Sequence, residues 1–318
     1  MGEEFKNQII KRTLMTLFII TLSATYIQAQ LLWKISKEGL SDSYIFGTHH
    51  IVPSNSISSI EGLQTAYSNS KRIIGEINIS EMSNLSEVSY MGQAMMAPKD
   101  SLLESIIGKE NMDDLKTIME KYPNDQISIE MINYLKPHSI NTLLTISITQ
   151  SIIKKIFPND NSPLGIDFIF QQKALSEGKE VYGLESLRYQ TDMLYNSESI
   201  LEAGQKLKQL IDCIKKHKDF VEASLTDMTE TYLKQDLNLL YTSTHQPKNE
   251  NTCPTLQMSP KEWKTMVDDR NNTWIPLLTE QISKQSCFIA VGALHLPGEM
   301  GIIKLLRKEG YSVEPVKP

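Results

Sequence analysis

The chain has 318 residues, 40% hydrophobic and 22% charged, with a formal net charge of −6. That length holds one large domain or two small ones, and the composition is ordinary for a globular protein. The acidic balance and the lack of any long basic run exclude a nucleic-acid partner as the working expectation.

The first thirty residues differ from the rest. Lys6, Lys11 and Arg12 precede an apolar stretch, Leu14 to Ala24, and small and polar residues follow through Ala29-Gln30. This is the pattern of a secretory signal peptide over residues 1–30, so the protein is expected to be exported, to a periplasm or outside the cell. The apolar core is too short for a comfortable membrane span. The alternative is an uncleaved N-terminus that holds the protein at a membrane. No Cys follows the cut, so a lipid anchor is not indicated. The fold is then sought in residues 31–318.

Leu31 to Ile35 and Ser43 to Phe46 predict two short strands around a polar turn. Ser54 to Ser70 has apolar residues at helical spacing, and Arg72 to Ile79 reads as a strand. Ser80 to Pro98 is rich in Met, Ser and Asn and has no clean period. It reads as a loop or a broken helix, with Met91, Met95 and Met96 as a candidate contact surface for a peptide. Asp113 to Lys155 is helical, with breaks near Pro123 and Pro137. Phe157 to Pro163 is a loop, Gly165 to Glu177 a helix stopped by Gly178, and Glu180 to Tyr182 a short strand. Two or three helices follow over Leu187 to Leu240, then a polar loop, Thr242 to Pro254. Ser259 to Lys284 is a long helix, with Ser as its cap and Pro in the first turn. The end is strand, helix, strand: Cys287 to Val291, Pro297 to Lys308, and Tyr311 to Val316. Together these predict an α/β (α+β mixed) fold: a central mixed sheet from two strand–GxxH–helix halves, with a large helical insertion.

Three cysteines are present. Cys287 opens an apolar strand and is expected to be buried. Cys213 and Cys253 are then the candidates for a disulfide, which spacing alone does not establish. No CxxC pattern supports a Cys-based zinc site.

Four apolar strands run into Gly and then an ionisable residue: Phe46-Gly47 to His50, Ile74-Gly75-Glu76, Tyr182-Gly183 to Glu185, and Val291-Gly292 to His295. Open α/β sheets bind ligands at strand carboxyl ends, and Gly there permits close backbone approach or positive φ. If the four strands are parallel, two imidazoles and two carboxylates converge on one rim. Such a set can hold a divalent metal or act without one, a Glu taking a proton from water while a His stabilises an oxyanion. His49 is expected to point away from His50. Arg270 is a candidate to orient substrate, Asp167 to cap a helix, and Gln190 and Tyr241 to line a cleft. His138, His217 and His245 read as surface or packing residues.

These residues, in order, resemble the TraB/PrgY/GumN family. The resemblance rests on Leu32-Trp33-Lys34-Ile35, Tyr44 to His50, Gly75-Glu76-Ile77, Gly165-Ile166-Asp167, Gly183 to Ser186 with Gln190, Arg270-Asn271, and Gly292 to Gly298, across residues 31 to 316. The family is similar to the Tiki metalloproteases and, more distantly, to erythromycin esterases and haem-binding ChaN-like proteins. It implies a hydrolase, a divalent-metal-dependent peptidase, acting on a peptide or small-molecule substrate. His50, Glu76, Glu185, His295 and Arg270 would be catalytic. His50, His295 and Glu76 would hold Mn, Co, Fe or Zn. A protein of the same fold that sequesters a peptide or pheromone, or binds haem or a metal without catalysis, is the alternative. The chain departs from the pattern at Asn78, where family members often carry an acidic residue.

Overall fold

The computed structural model describes residues 30–123, 127–159, 165–245 and 253–316. The expected signal peptide lies outside them except for Gln30, as do residues 160–163 and 246–252 of the two expected loops. At the centre is a six-stranded mixed sheet. Its strands are β1 (Leu32–Ser36), β2 (Ser43–Thr48), β3 (Arg72–Gly75), β4 (Glu180–Gly183), β5 (Cys287–Gly292) and β6 (Ser312–Pro315), in the order β4-β3-β5-β2-β1-β6. The strands β4, β3, β5 and β2 pair parallel, while β1 is antiparallel to both β2 and β6. The four strands that end in Gly plus an ionisable residue are thus the four parallel neighbours, and their carboxyl ends share one rim. The central strand β5 is buried from Cys287 to Val291, as a strand covered on both faces should be. The edge strands are four residues each, and β6 ends on Pro315, which limits further pairing.

The described helices are α1 (Leu63–Asn69), α2 (Leu85–Met95), α3 (Leu103–Ile107), α4 (Lys109–Lys121), α5 (Pro137–Ile156), α6 (Ile166–Ser176), α7 (Leu187–Tyr195), α8 (Ile200–Leu233) and α9 (Leu237–His245). Then Pro260–Trp263, a π-helical turn over Lys264–Asp268 and Asp269–Lys284 follow without a break, here called α10. The last is α11 (Ile302–Lys308). Ser259 caps the start of α10 and Pro260 lies in its first turn, as the sequence suggested, and Glu262 completes a capping box.

Several elements are shorter than their patterns predicted. The helix expected over 54–70 splits into a 3-10 turn, Ser54–Ile57, and α1, because Gly62 at φ +76° interrupts it. The helix expected from Pro297 begins only at Ile302, after Gly298 at φ +89°. The chain leaves β3 at Gly75 rather than Ile79. The Gln171 side chain of α6 meets it there, donating to the Ile77 carbonyl at 3.1 Å and accepting from Ile79 N–H at 2.9 Å. The Ser80 to Pro98 segment is a short 3-10 helix, Ile79–Ser83, followed by α2.

Two apolar cores result. One lies around the sheet and includes Phe46, Ile74, Phe170, Phe288 and Trp274. The other lies within the helical insertion, among α3, α4, α5 and α8, with Leu103, Leu115, Leu144 and Ile211. Each fully buried Leu or Ile contributes about 1.5–3 kcal/mol. Helix α8 joins the cores: Leu207 and Ile211 pack in the second, Tyr232 in the first. It kinks at His217, where φ is −135° and ψ 39°. Cys213 on α8 is disulfide-bonded to Cys253, and Cys287 is free and buried.

Candidate active site

Each strand end delivers one side chain. Glu76 follows β3 directly, Glu185 lies two residues past β4, His50 two residues past β2, and His295 closes a 3-10 turn after β5. Backbone bonds hold the first pair together: Leu184 N–H donates to the Gly75 carbonyl at 3.0 Å, and Glu185 N–H to the Glu76 carbonyl at 2.8 Å. The four strand-end glycines have no positive φ. They serve close approach instead. A Cβ on Gly75 would stand 2.2 Å from Nε2 of Gln171.

Helix α10 brings Arg270 into the middle. Its π-helical turn inserts an extra residue into the helical register directly ahead of Arg270 and Asn271, a device common at functional sites. Arg270 is 4% exposed. Its Nη2 donates to Glu76 Oε2 at 2.6 Å and Glu185 Oε1 at 2.7 Å, and its Nε to Glu185 Oε2 at 3.1 Å. Its Nη1 donates to the Met266 carbonyl at 3.0 Å and to His295 Nε2 at 3.1 Å. A guanidinium has five N–H groups, and protein atoms take all five. The expected role for Arg270, holding substrate, therefore finds no free donor. The guanidinium also lies over Trp274, 4.6 Å from the ring, and Trp274 Nε1 donates to Glu185 Oε2 at 3.2 Å.

That bonding fixes His295. Arg270 can only donate, so Nε2 of His295 accepts and carries no proton. Nδ1–H then donates to Asn271 Oδ1 at 2.7 Å. The Asn271 amide nitrogen is left to donate to the carbonyls of His295 and Met300, at 3.1 and 2.8 Å. Burial, aided by the Arg270 charge, pushes the His295 pKa down to about 3, so the ring is neutral. Burial by itself would raise Glu76, but the Arg270 charge, with help from His50 and the Gly292 N–H, outweighs it and holds the carboxylate at about 2. Burial raises the pKa of Glu185 despite its two bonds to Arg270.

His50 is different. Its side chain is 61% exposed. Its Nδ1 bonds Asp167 Oδ2 at 2.7 Å, and Thr48 Oγ1 donates to the other Asp167 oxygen. Asp167 thus orients His50. The cap expected of it is not made, since the residue before α6 is Gly165 and carries no side-chain cap. The Asp167 charge raises the His50 pKa to about 9, and exposure lets salt screen that pair. His49 packs on Tyr232, with ring centroids 5.2 Å apart. Burial pushes it down to about 4. Gln190 does reach the cluster, donating to Glu76 and Glu185 at 3.4 and 3.2 Å. Tyr241 lies against Gly298, beyond His295, where a Cβ would meet its ring at 2.8 Å. Asn78 stands where an acid was expected and binds Ser80 and the Val181 carbonyl. His138 is buried and bonds the Glu198 carbonyl at 3.2 Å, so it packs rather than lining the site.

The reactive groups face one small space. A methyl on Gly292 would meet Glu76 Oε1 at 3.2 Å, His295 Cδ2 at 3.4 Å and His50 Nε2 at 3.8 Å. Two surface depressions, of about 410 and 290 Å³, lie elsewhere and include none of these residues.

The family model for TraB/PrgY/gumN matches residues 31–315. The chain belongs to this family. Comparison with curated proteins and with solved structures found no match. For this TraB/PrgY/gumN protein the expected metal set was His50, His295 and Glu76. The donors present do not fit it. The one lone pair of His295 that faces the cluster is given to Arg270, and Glu76 Oε2 is bonded to the same cation. Among the described residues, no three His, Cys, Asp or Glu side chains are arranged to hold a metal ion.

Proposed function

We propose that this protein is an exported hydrolase that adds water to the acyl carbon of a peptide bond. Support comes from the space over Gly292, which places Glu76 Oε1 and His50 Nε2 within 3.2 and 3.8 Å of one point. A carbonyl there would accept a hydrogen bond from the His50 imidazolium, which Asp167 keeps protonated at neutral pH. Water attacks the carbonyl carbon and gives its proton to Glu76 Oε1. The carbonyl oxygen becomes an oxyanion on His50 Nε2–H. Collapse breaks the C–N bond, and the leaving amine takes the proton from Glu76.

A carboxylate held near pKa 2 is a weak base. Most of the acceleration is therefore assigned to His50, as the cation facing the developing oxyanion. Such a donor is worth about 10²–10³ in rate, and proton transfer about 10²–10⁴. Export is supported by the basic-apolar N-terminal pattern and by the Cys213–Cys253 disulfide, a bond that persists in oxidising compartments.

The test is peptide-library digestion read by mass spectrometry, with folded His50→Ala and Glu76→Gln beside the parent chain. Loss of about 100-fold or more in each variant is expected. Unchanged cleavage in both would end the proposal. Activity should hold through neutral pH and fall on the alkaline side as His50 deprotonates. A rise through pH 6–7 to a plateau would make His50 the base and overturn its assigned role.

A further inference from the structure

Two buried carboxylates share one site. The side chains of Glu76 and Glu185 are 9% and 6% exposed, and both bond the same nitrogen of Arg270. Without a cation between them, two such groups cannot both stay ionised. A divalent metal is one solution, and this donor type suits it: two carboxylates and an imidazole lone pair. The chain has reached another. The guanidinium meets Glu76, Glu185 and His295 Nε2 at once, and it is fixed from behind by the Met266 carbonyl and the Trp274 face. Asn271, the next residue on α10, turns the His295 lone pair toward it.

We propose that Arg270 is the built-in cation of this site, filling the place between Glu76, Glu185 and His295 that a divalent metal would otherwise take. The protein then needs no metal to assemble the cluster, and removing the guanidinium opens a metal site. This goes beyond the hydrolase reading and stands or falls separately, because it is read by metal binding and melting rather than by cleavage.

The test uses Co²⁺, whose visible absorption reports ligation by protein groups. The parent chain, after treatment with chelator, should melt at an unchanged temperature with or without Co²⁺ and show no band that depends on these residues. Arg270→Ala should bind one Co²⁺ per chain and melt higher when it is added. Its band should vanish in Arg270→Ala/His295→Ala. Arg270→Lys, which keeps the charge, should take up no Co²⁺. The proposal is overturned if the parent chain binds one Co²⁺ that Glu76→Gln or His295→Ala abolishes. It is equally overturned if folded Arg270→Ala binds none. Should Arg270→Ala fail to fold even with Co²⁺ present, the parent and Arg270→Lys measurements decide the outcome in the same directions.

Discussion

The sheet half and the helical insertion bury their polar groups in different ways. At the strand ends, Arg270, Glu76, Glu185 and His295 neutralise one another within a closed network. The insertion packs α3, α4, α5 and α8 around aliphatic residues and adds a covalent bond, Cys213–Cys253. The first solution gives geometry but is vulnerable, since each member depends on the others. The second carries none of the chemistry at the rim.

Acid should expose the contrast most strongly. His295 and His49 have folded pKa values of about 3 and 4, below their ordinary 6.5, so the unfolded chain binds more protons as pH falls through that window. Their contribution to stability is complete above pH 6.5 and is lost toward 3–4. Glu76, held at about 2, loses its contribution as pH falls from 4.5. His50 has the opposite sign: its contribution is full below 6.5 and fades toward pH 9. In the insertion, burial lowers His138 in the same sense as His295. Urea midpoints should fall steeply from pH 7 to 4 through the two histidines, and Glu76→Gln should soften only the further fall below pH 4.5.

The next effect is removal of the guanidinium. In metal-free buffer, Arg270→Ala leaves two buried carboxylates without a counter-charge and should cost about 3–5 kcal/mol, with loss of cleavage. Breaking the staple should cost a similar amount with a different outcome. The 40-residue separation of Cys213 and Cys253 corresponds to about 4 kcal/mol in the chain-entropy account. The Cys213→Ser/Cys253→Ser variant should therefore lose stability yet keep its turnover below the melting point. Equal loss of turnover in both variants would show that the insertion shapes the site. The smallest effect expected is at Gly165, where a Cβ would stand 2.1 Å from the His50 carbonyl oxygen. Gly165→Ala should cost about 1–3 kcal/mol by overpacking, and should lower kcat by displacing His50.

Much of this was legible in the residues. Repeated apolar runs ending in Gly plus His or Glu located the rim, because parallel strands align their carboxyl ends. Ser259 and Pro260 marked the start of α10 by capping chemistry. What escaped was whatever depends on long-range partners. Asp167 reads as a helix cap from its neighbours, and its bond to His50 spans 117 positions. Trp274 shows no local pattern that distinguishes it from a core residue, and Thr48 stood only among the residues leading to His50. Asn271 had a trace only in its place beside Arg270. The position of Arg270 was also hidden, because a π-helical turn alters the register that periodicity would assume.

Cys287 offers a practical dividend. With the other two sulfurs joined, it is the chain's one free thiol, fully enclosed at the start of the central strand. A thiol-reactive dye should label the native protein only when the sheet opens, so labelling kinetics would report that opening without any engineered probe.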